Sequence, residues 1–252
     1  MAENSKIEWC DHTINLWWGC TKVHTGCKNC YAETLSKRFD NDIWGNDKNR
    51  KRIKSAFIDL DRYQNIAEKK GVKFKIFIGS MMDIFEDNFP LNNPTEQFES
   101  TQDLRKELFK RITQYKYDNL IFLFLTKRPR NIWKMIPEDW SHGWFNVWFG
   151  TSISDEETSK YSDQLQNSLK YQNLFLSIEP QVGIIQNVNL SGIDWVIQGG
   201  ESGAKKRPFN IEWAYKMKEI CEYYEVPYLF KQIDKIQSIP EDLNIRQFPK
   251  FI

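Results

Sequence analysis

The chain has 252 residues, enough for one large domain or two small ones. It carries 35 Lys and Arg against 34 Asp and Glu, a formal net charge of +1, which excludes the broad field of a general nucleic-acid or membrane-surface binder. No stretch reaches ~18 apolar residues, so no membrane span is expected, and Met1 to Lys6 lack the apolar run of a signal peptide. The expected location is the cytoplasm, where thiols stay reduced.

Residues 7–19 read as an entry segment with a short strand near 14–18. Directly after it, three of the five cysteines fall within eleven residues, Cys20, Cys27 and Cys30, spaced C-x6-C-x2-C. Their neighbours are Gly, Lys, Asn, Thr and His, which is loop chemistry. A polar loop that concentrates thiols points to a metal. Structural zinc takes four protein ligands, and a [4Fe-4S] cluster normally takes four Cys. Three Cys leave one iron open to a ligand that is not protein. His24 inside the loop is the alternative fourth ligand, which would make a Cys3His zinc site. Cys10 and Cys221 stand apart; Cys10 is close enough in sequence to be a spare ligand but reads as structural.

Tyr31 to Arg38 has good helix formers and follows the last Cys turn. Residues 40–56 are polar and basic, with Lys48, Arg50, Lys51, Arg52 and Lys54. They read as a solvated loop or, more sharply, as a phosphate-facing patch on a lid. From residue 73 short apolar runs recur: 74–78, 120–125, 147–149, 174–178, 195–198 and 228–230. Continuous apolar runs fit strands buried on both faces. Segments 97–116, 155–170 and 210–225 have helical length and period. Alternating strand and helix predicts an α/β fold, a partial (β/α) barrel of six or seven mostly parallel strands in one domain over 1–252.

The polar and glycine residues stand at the C-terminal ends of the runs, where a parallel barrel gathers its site. The candidates are Ser80, Asp83, Thr126, Lys127, Arg128, Ser152, Glu179, Gly199, Gly200, Glu201 and Lys231, together with the three thiols. Aromatic residues make up 15% of the chain, with ten Trp. They read as packing residues, or as surfaces on which a flat substrate stacks.

With the cysteine loop, the β/α alternation and these strand ends, the chain resembles the radical S-adenosylmethionine (SAM) superfamily. More closely it resembles a phage-encoded three-Cys-motif family of unknown function. The matching segments are Ile7-Glu8-Trp9, Gly19-Cys20-Thr21-Lys22-Val23, Gly26-Cys27-Lys28-Asn29-Cys30-Tyr31-Ala32, Leu125-Thr126-Lys127-Arg128-Pro129, Leu176-Ser177-Ile178-Glu179-Pro180, Asp194 through Gly203, Arg207-Pro208 and Phe230-Lys231-Gln232. Three departures stand out. The first Cys gap is six residues where the superfamily has three, and Asn29 takes the place of the usual aromatic before the last Cys. Gly79-Ser80-Met81-Met82-Asp83 stands where a Gly-Gly-Glu is usual.

The resemblance implies a [4Fe-4S] cluster on Cys20, Cys27 and Cys30, with SAM on the fourth iron and a 5′-deoxyadenosyl radical as the reactive species. Lys127, with Arg128 second, would hold the SAM carboxylate. Gly79, Ser80 and Asp83 would meet its ammonium, with Thr126 alongside. Ser152 or Glu179 would meet the ribose, and Gly199-Gly200 would let the backbone approach adenine or substrate. Glu179, Glu201, Arg207 and Lys231 are the substrate candidates, and Lys127, Glu179 and Glu201 the catalytic ones. The implied partners are an external electron donor such as flavodoxin or ferredoxin and a modified nucleotide or DNA base, in the host cytoplasm. The competing readings are a Cys3His zinc-binding protein and an iron-sulfur electron-transfer protein without SAM chemistry.

Overall fold

Each apolar run becomes a strand: β1 (His12–Ile14), β2 (Phe74–Ile78), β3 (Leu120–Thr126), β4 (Val147–Ser152), β5 (Asn173–Ile178), β6 (Trp195–Gly199) and β7 (Tyr228–Gln232). The computed structural model describes residues 5–114, 116–142, 144–169 and 172–251. Met1 to Asn4 of the leader reading, and Tyr115 and Lys170 of two expected helices, lie outside these residues. The seven strands form one sheet in chain order, and every neighbouring pair is parallel. With no reversal of strand order, right-handed crossovers keep the helices on one face, and the sheet curls into a half-barrel. The chain therefore forms the expected α/β partial barrel.

The two-residue period of a strand splits the core in two. Ile76, Phe122, Phe124, Phe149, Leu176, Val196 and Phe230 face the helices in a large cluster. Phe77, Ile121, Leu123, Trp148, Phe175, Trp195, Ile197 and Leu229 fill the concave side with Trp9 and Cys10. Phe251 closes this inner cluster, with its ring centroid 5.0 Å from Trp148 and 5.8 Å from Trp195. Most of the aromatic excess is thus core.

The helices α1 (Tyr31–Lys37), α2 (Ala56–Lys70), α3 (Thr101–Thr113), α4 (Tyr161–Ser168) and α5 (Glu212–Tyr223) lie between strands. Four of them fall within the expected segments. The sequence reading passed over α2, although Ala56, Leu60, Tyr63 and Ala67 make a buried stripe at helical spacing. Gly71 then ends the helix in the left-handed conformation, φ 63°.

Two expectations change. The strand expected near 14–18 divides: β1 ends at Ile14, and Trp17–Trp18 joins a second sheet with Arg50–Arg52, Pro90–Thr95 and Phe98–Ser100. The basic stretch is not a phosphate-facing lid. Arg50 is fully buried and forks onto Glu86, Nε to Oε1 at 2.9 Å and Nη2 to Oε2 at 3.0 Å. Lys48 pairs with Asp42, Lys51 donates to Asn41, and Arg52 donates to Thr95. Four of the five charges have protein partners in or beside a small sheet, which composition alone does not reveal.

Candidate functional site

The inner face of each strand turns from apolar to polar as it reaches the mouth. Two or four residues beyond an inward aromatic or aliphatic residue comes a site candidate: Leu125 to Lys127, Trp148 to Ser152, Phe175 to Glu179, Leu229 to Lys231. All four end residues line one cavity of about 340 Å3. Cys20, Cys27, Cys30, Gly79, Ser80, Asp83, Thr126, Gly200 and Glu201 line it too. Trp9, Phe77 and Leu125 supply apolar wall. Of the candidates, Gly199, Arg128 and Arg207 are not in the lining. The β6–β7 register shifts between Gln198 and Gly199, and beyond that shift Gly200 reaches the cavity.

The cysteine loop is held from three sides. Gly26 packs so closely that a β-carbon there would stand 2.2 Å from Ser154 Oγ, two residues beyond β4. His24 Nδ1 accepts the Gly26 N–H at 3.0 Å, and the ring meets Tyr161 edge-on. His24 therefore sits behind the loop and does not line the cavity. Burial first, then Lys127, pushes its pKa down to about 4. All five cysteines are unpaired. Cys10 and Cys221 are buried in the two cores, and burial pushes their thiols up to about 11 and about 12.

Arg128 braces the first cysteine. Its guanidinium donates to the carbonyl and hydroxyl of Thr21, each at 3.0 Å, and approaches Cys20 Sγ at 3.8 Å. Asp83 holds that guanidinium at 2.7 Å and also accepts from Thr126 Oγ1 and the Phe85 and Lys127 amides. Burial works against the Asp83 carboxylate, but Arg128 and these donors outweigh it and hold its pKa below the ordinary value. The acceptors of Asp83 are engaged in this brace, so its part is to position Arg128 and Lys127. A carboxylate depressed on folding stabilises the fold above its unfolded pKa of about 3.9 and loses that contribution as pH falls through its native value. Asp83→Asn is expected to cost about 3 kcal/mol at neutral pH, by analogy with other broken buried pairs. The difference from wild type should shrink in acid; urea titrations across that range check both.

Asn29, which departs from the superfamily pattern, has a structural task. Its amide donates to Glu201 Oε2 at 2.9 Å and to the Lys205 carbonyl at 2.8 Å. Arg207 forks onto the same carboxylate, at 3.0 and 2.7 Å, and reaches the Thr25 carbonyl at 3.0 Å. Glu201 and Arg207 thus clasp the cysteine loop to the end of β6. Burial opposes the Glu201 carboxylate, and Arg207 and Asn29 bring its pKa below the ordinary value. Tyr31 closes the third side by donating to the Ser80 carbonyl at 2.5 Å, while Asn15 donates to the Ser80 hydroxyl at 2.8 Å. Neither Asn15 nor Asn29 was a sequence candidate. A polar residue just past an apolar strand end is the signal for the first; the second carried none.

Lys127 donates to Ser152 Oγ at 3.2 Å and has no carboxylate partner among the described residues. Lys231, in contrast, is hydrogen-bonded to Glu179. At Gly200 a β-carbon would fall 2.0 Å from the Ile233 carbonyl and 2.8 Å from Phe209 Cβ. The glycine is therefore required by backbone packing against the chain after β7, whatever the cavity binds. Gly200→Ala is expected to cost about 1–3 kcal/mol from overpacking, read as a lower thermal midpoint.

The fold and site define a half-barrel α/β protein with a three-cysteine loop clamped over a cavity at its C-terminal mouth. The chain belongs to the family described as "Protein of unknown function (DUF5131)", whose model matches residues 4–243. No curated protein and no solved structure matches the chain.

Proposed function

We propose that the protein is a radical SAM enzyme. In this reading Cys20, Cys27 and Cys30 hold three irons of a [4Fe-4S] cluster, and Lys127 with Ser152 receives the SAM carboxylate. One observation carries it: three reduced thiols and a lysine without a carboxylate partner open on a single cavity at the mouth of a parallel half-barrel. The donor set suits a cluster. Among the described residues no three His, Cys, Asp or Glu side chains are grouped to hold one metal ion. A cubane needs no such convergence, since each thiolate takes its own iron. A Cys3His zinc ion would need His24, whose ring is packed behind the loop.

When bound, cluster and SAM supply one-electron cleavage of the sulfonium and a 5′-deoxyadenosyl radical. The chain's own residues bind and orient. Arg128 and Glu201 fix the loop, Ser80 and the Gly79 carbonyl offer acceptors to an ammonium group, and Trp9, Phe77 and Leu125 exclude water. The electron would come from an external donor such as flavodoxin or ferredoxin. The substrate would be a nucleotide or a base of phage DNA, met in the host cytoplasm. Among the described residues no helix is long and apolar enough to cross a membrane.

Anaerobic reconstitution with iron and sulfide tests the reading. A brown protein that forms 5′-deoxyadenosine from SAM and dithionite is expected. A colourless protein with one tightly bound zinc sinks it, and a brown protein inert towards SAM leaves only an electron carrier.

A further inference from the structure

Beside the cysteines, the cavity contains a second constellation that the cluster reading does not use. Glu179, at the end of β5, and Lys231, in β7, are hydrogen-bonded to each other within the lining. Their side chains keep 20% and 13% exposure, so the pair is neither dry nor fully solvated. Trp9 and Phe77 form an aromatic wall of the same cavity, with ring centroids 4.5 Å apart. Trp9 is 2% exposed, and its indole N–H has no hydrogen-bond partner among the described residues.

Each feature restricts the ligand. An anion would be repelled by Glu179 and a cation by Lys231. An apolar group would strip water from the ion pair and return no hydrogen bond, which is costly. A net-neutral ligand with an acceptor next to a donor can lie across the pair without separating it. The aromatic wall favours a flat ligand.

We propose that this part of the cavity binds a planar heterocycle by a lactam edge, the HN–C=O pattern that a uracil- or thymine-type ring presents. Glu179 accepts the ring N–H and Lys231 donates to the flanking carbonyl. The assignment deepens the reading above, from which it takes the placement of SAM beside Lys127. Of the two roles expected for Glu179, at the SAM ribose or at the substrate, it takes the second.

Binding is measured by calorimetry on the full chain, as purified and after anaerobic reconstitution, with and without SAM. The probes are thymidine, 3-methylthymidine, cytidine, L-leucine and a short oligo-dT. Thymidine is expected to bind saturably. Methylation at N3 keeps the ring and removes the donor, and should weaken binding on the order of tenfold. Lys231→Met should weaken thymidine similarly. The double variant Glu179→Gln/Lys231→Met removes both charges together and serves if the single variant does not fold. Tighter binding of oligo-dT than of thymidine identifies a polymer as the source of the base, and equal or weaker binding identifies the free nucleoside. The proposal is overturned if thymidine and 3-methylthymidine bind alike, if L-leucine binds and thymidine does not, or if no probe binds under any condition. Because binding is read without SAM cleavage, it can fail while 5′-deoxyadenosine still forms, and hold where none forms.

Discussion

On the proposed radical SAM reading, replacing any one of Cys20, Cys27 or Cys30 by alanine is expected to abolish cluster uptake and all SAM cleavage. Wild type should take up about four irons per chain on reconstitution, and each variant close to none, since each iron needs its thiolate. Iron and sulfide assays with the visible spectrum check this. Cys10→Ala and Cys221→Ala provide the contrast. Both thiols are buried in apolar clusters and neither lines the cavity, so their loss should cost only packing and leave iron content near wild type. An equal loss of iron in Cys10→Ala would contradict the assignment, because that thiol would then be a ligand.

The second large effect falls on stability. Arg50→Met is expected to cost about 3–5 kcal/mol, because it leaves Glu86 buried without its partner. The arginine is fully buried. It forks onto Glu86 and donates from Nη1 to the Ile43, Gly45 and Lys48 carbonyls, while its guanidinium carbon lies 3.7 Å from the Phe89 ring centroid. Trp17 Nε1 donates to the same carboxylate at 2.9 Å. The double variant Arg50→Met/Glu86→Leu should recover much of the loss, since no buried charge is then unmatched. Urea unfolding of both variants decides. The damage should also reach the site. Gly19, with φ 116°, packs on Arg50 so that a β-carbon would lie 2.7 Å from its Cδ, and Cys20 accepts the Gly45 amide at 3.1 Å. Lower iron retention in Arg50→Met is the expected sign of this coupling.

Strand parity ties the fold to the site. The expected list of mouth residues mixed two kinds, and the period of two separates them. Lys127, Ser152, Glu179 and Lys231 continue the inward phase of Leu125, Trp148, Phe175 and Leu229 and reach the cavity. Thr126 has the outward phase; it touches the rim and spends its hydroxyl on Asp83 at 2.6 Å. Gly199 escapes the rule because the register slips beside it. That slip has no sequence mark.

By itself, the sequence determined the parallel half-barrel, the position of the thiols after the first strand and the polar mouth. These follow from local period and composition: apolar runs bury on both faces, and strand ends of a parallel sheet converge. Tertiary structure alone decided which polar residues serve ligands and which serve the protein. Asp83 is taken by Arg128, Glu201 by Asn29 and Arg207, and Arg50 by Glu86, partners 45, 172, 6 and 36 residues distant in sequence. A charge reads the same in the chain whether its partner is a side chain or a ligand. Only the folded distances distinguish the two, and among the cavity residues they leave Lys127 without a carboxylate and set Glu179 against Lys231.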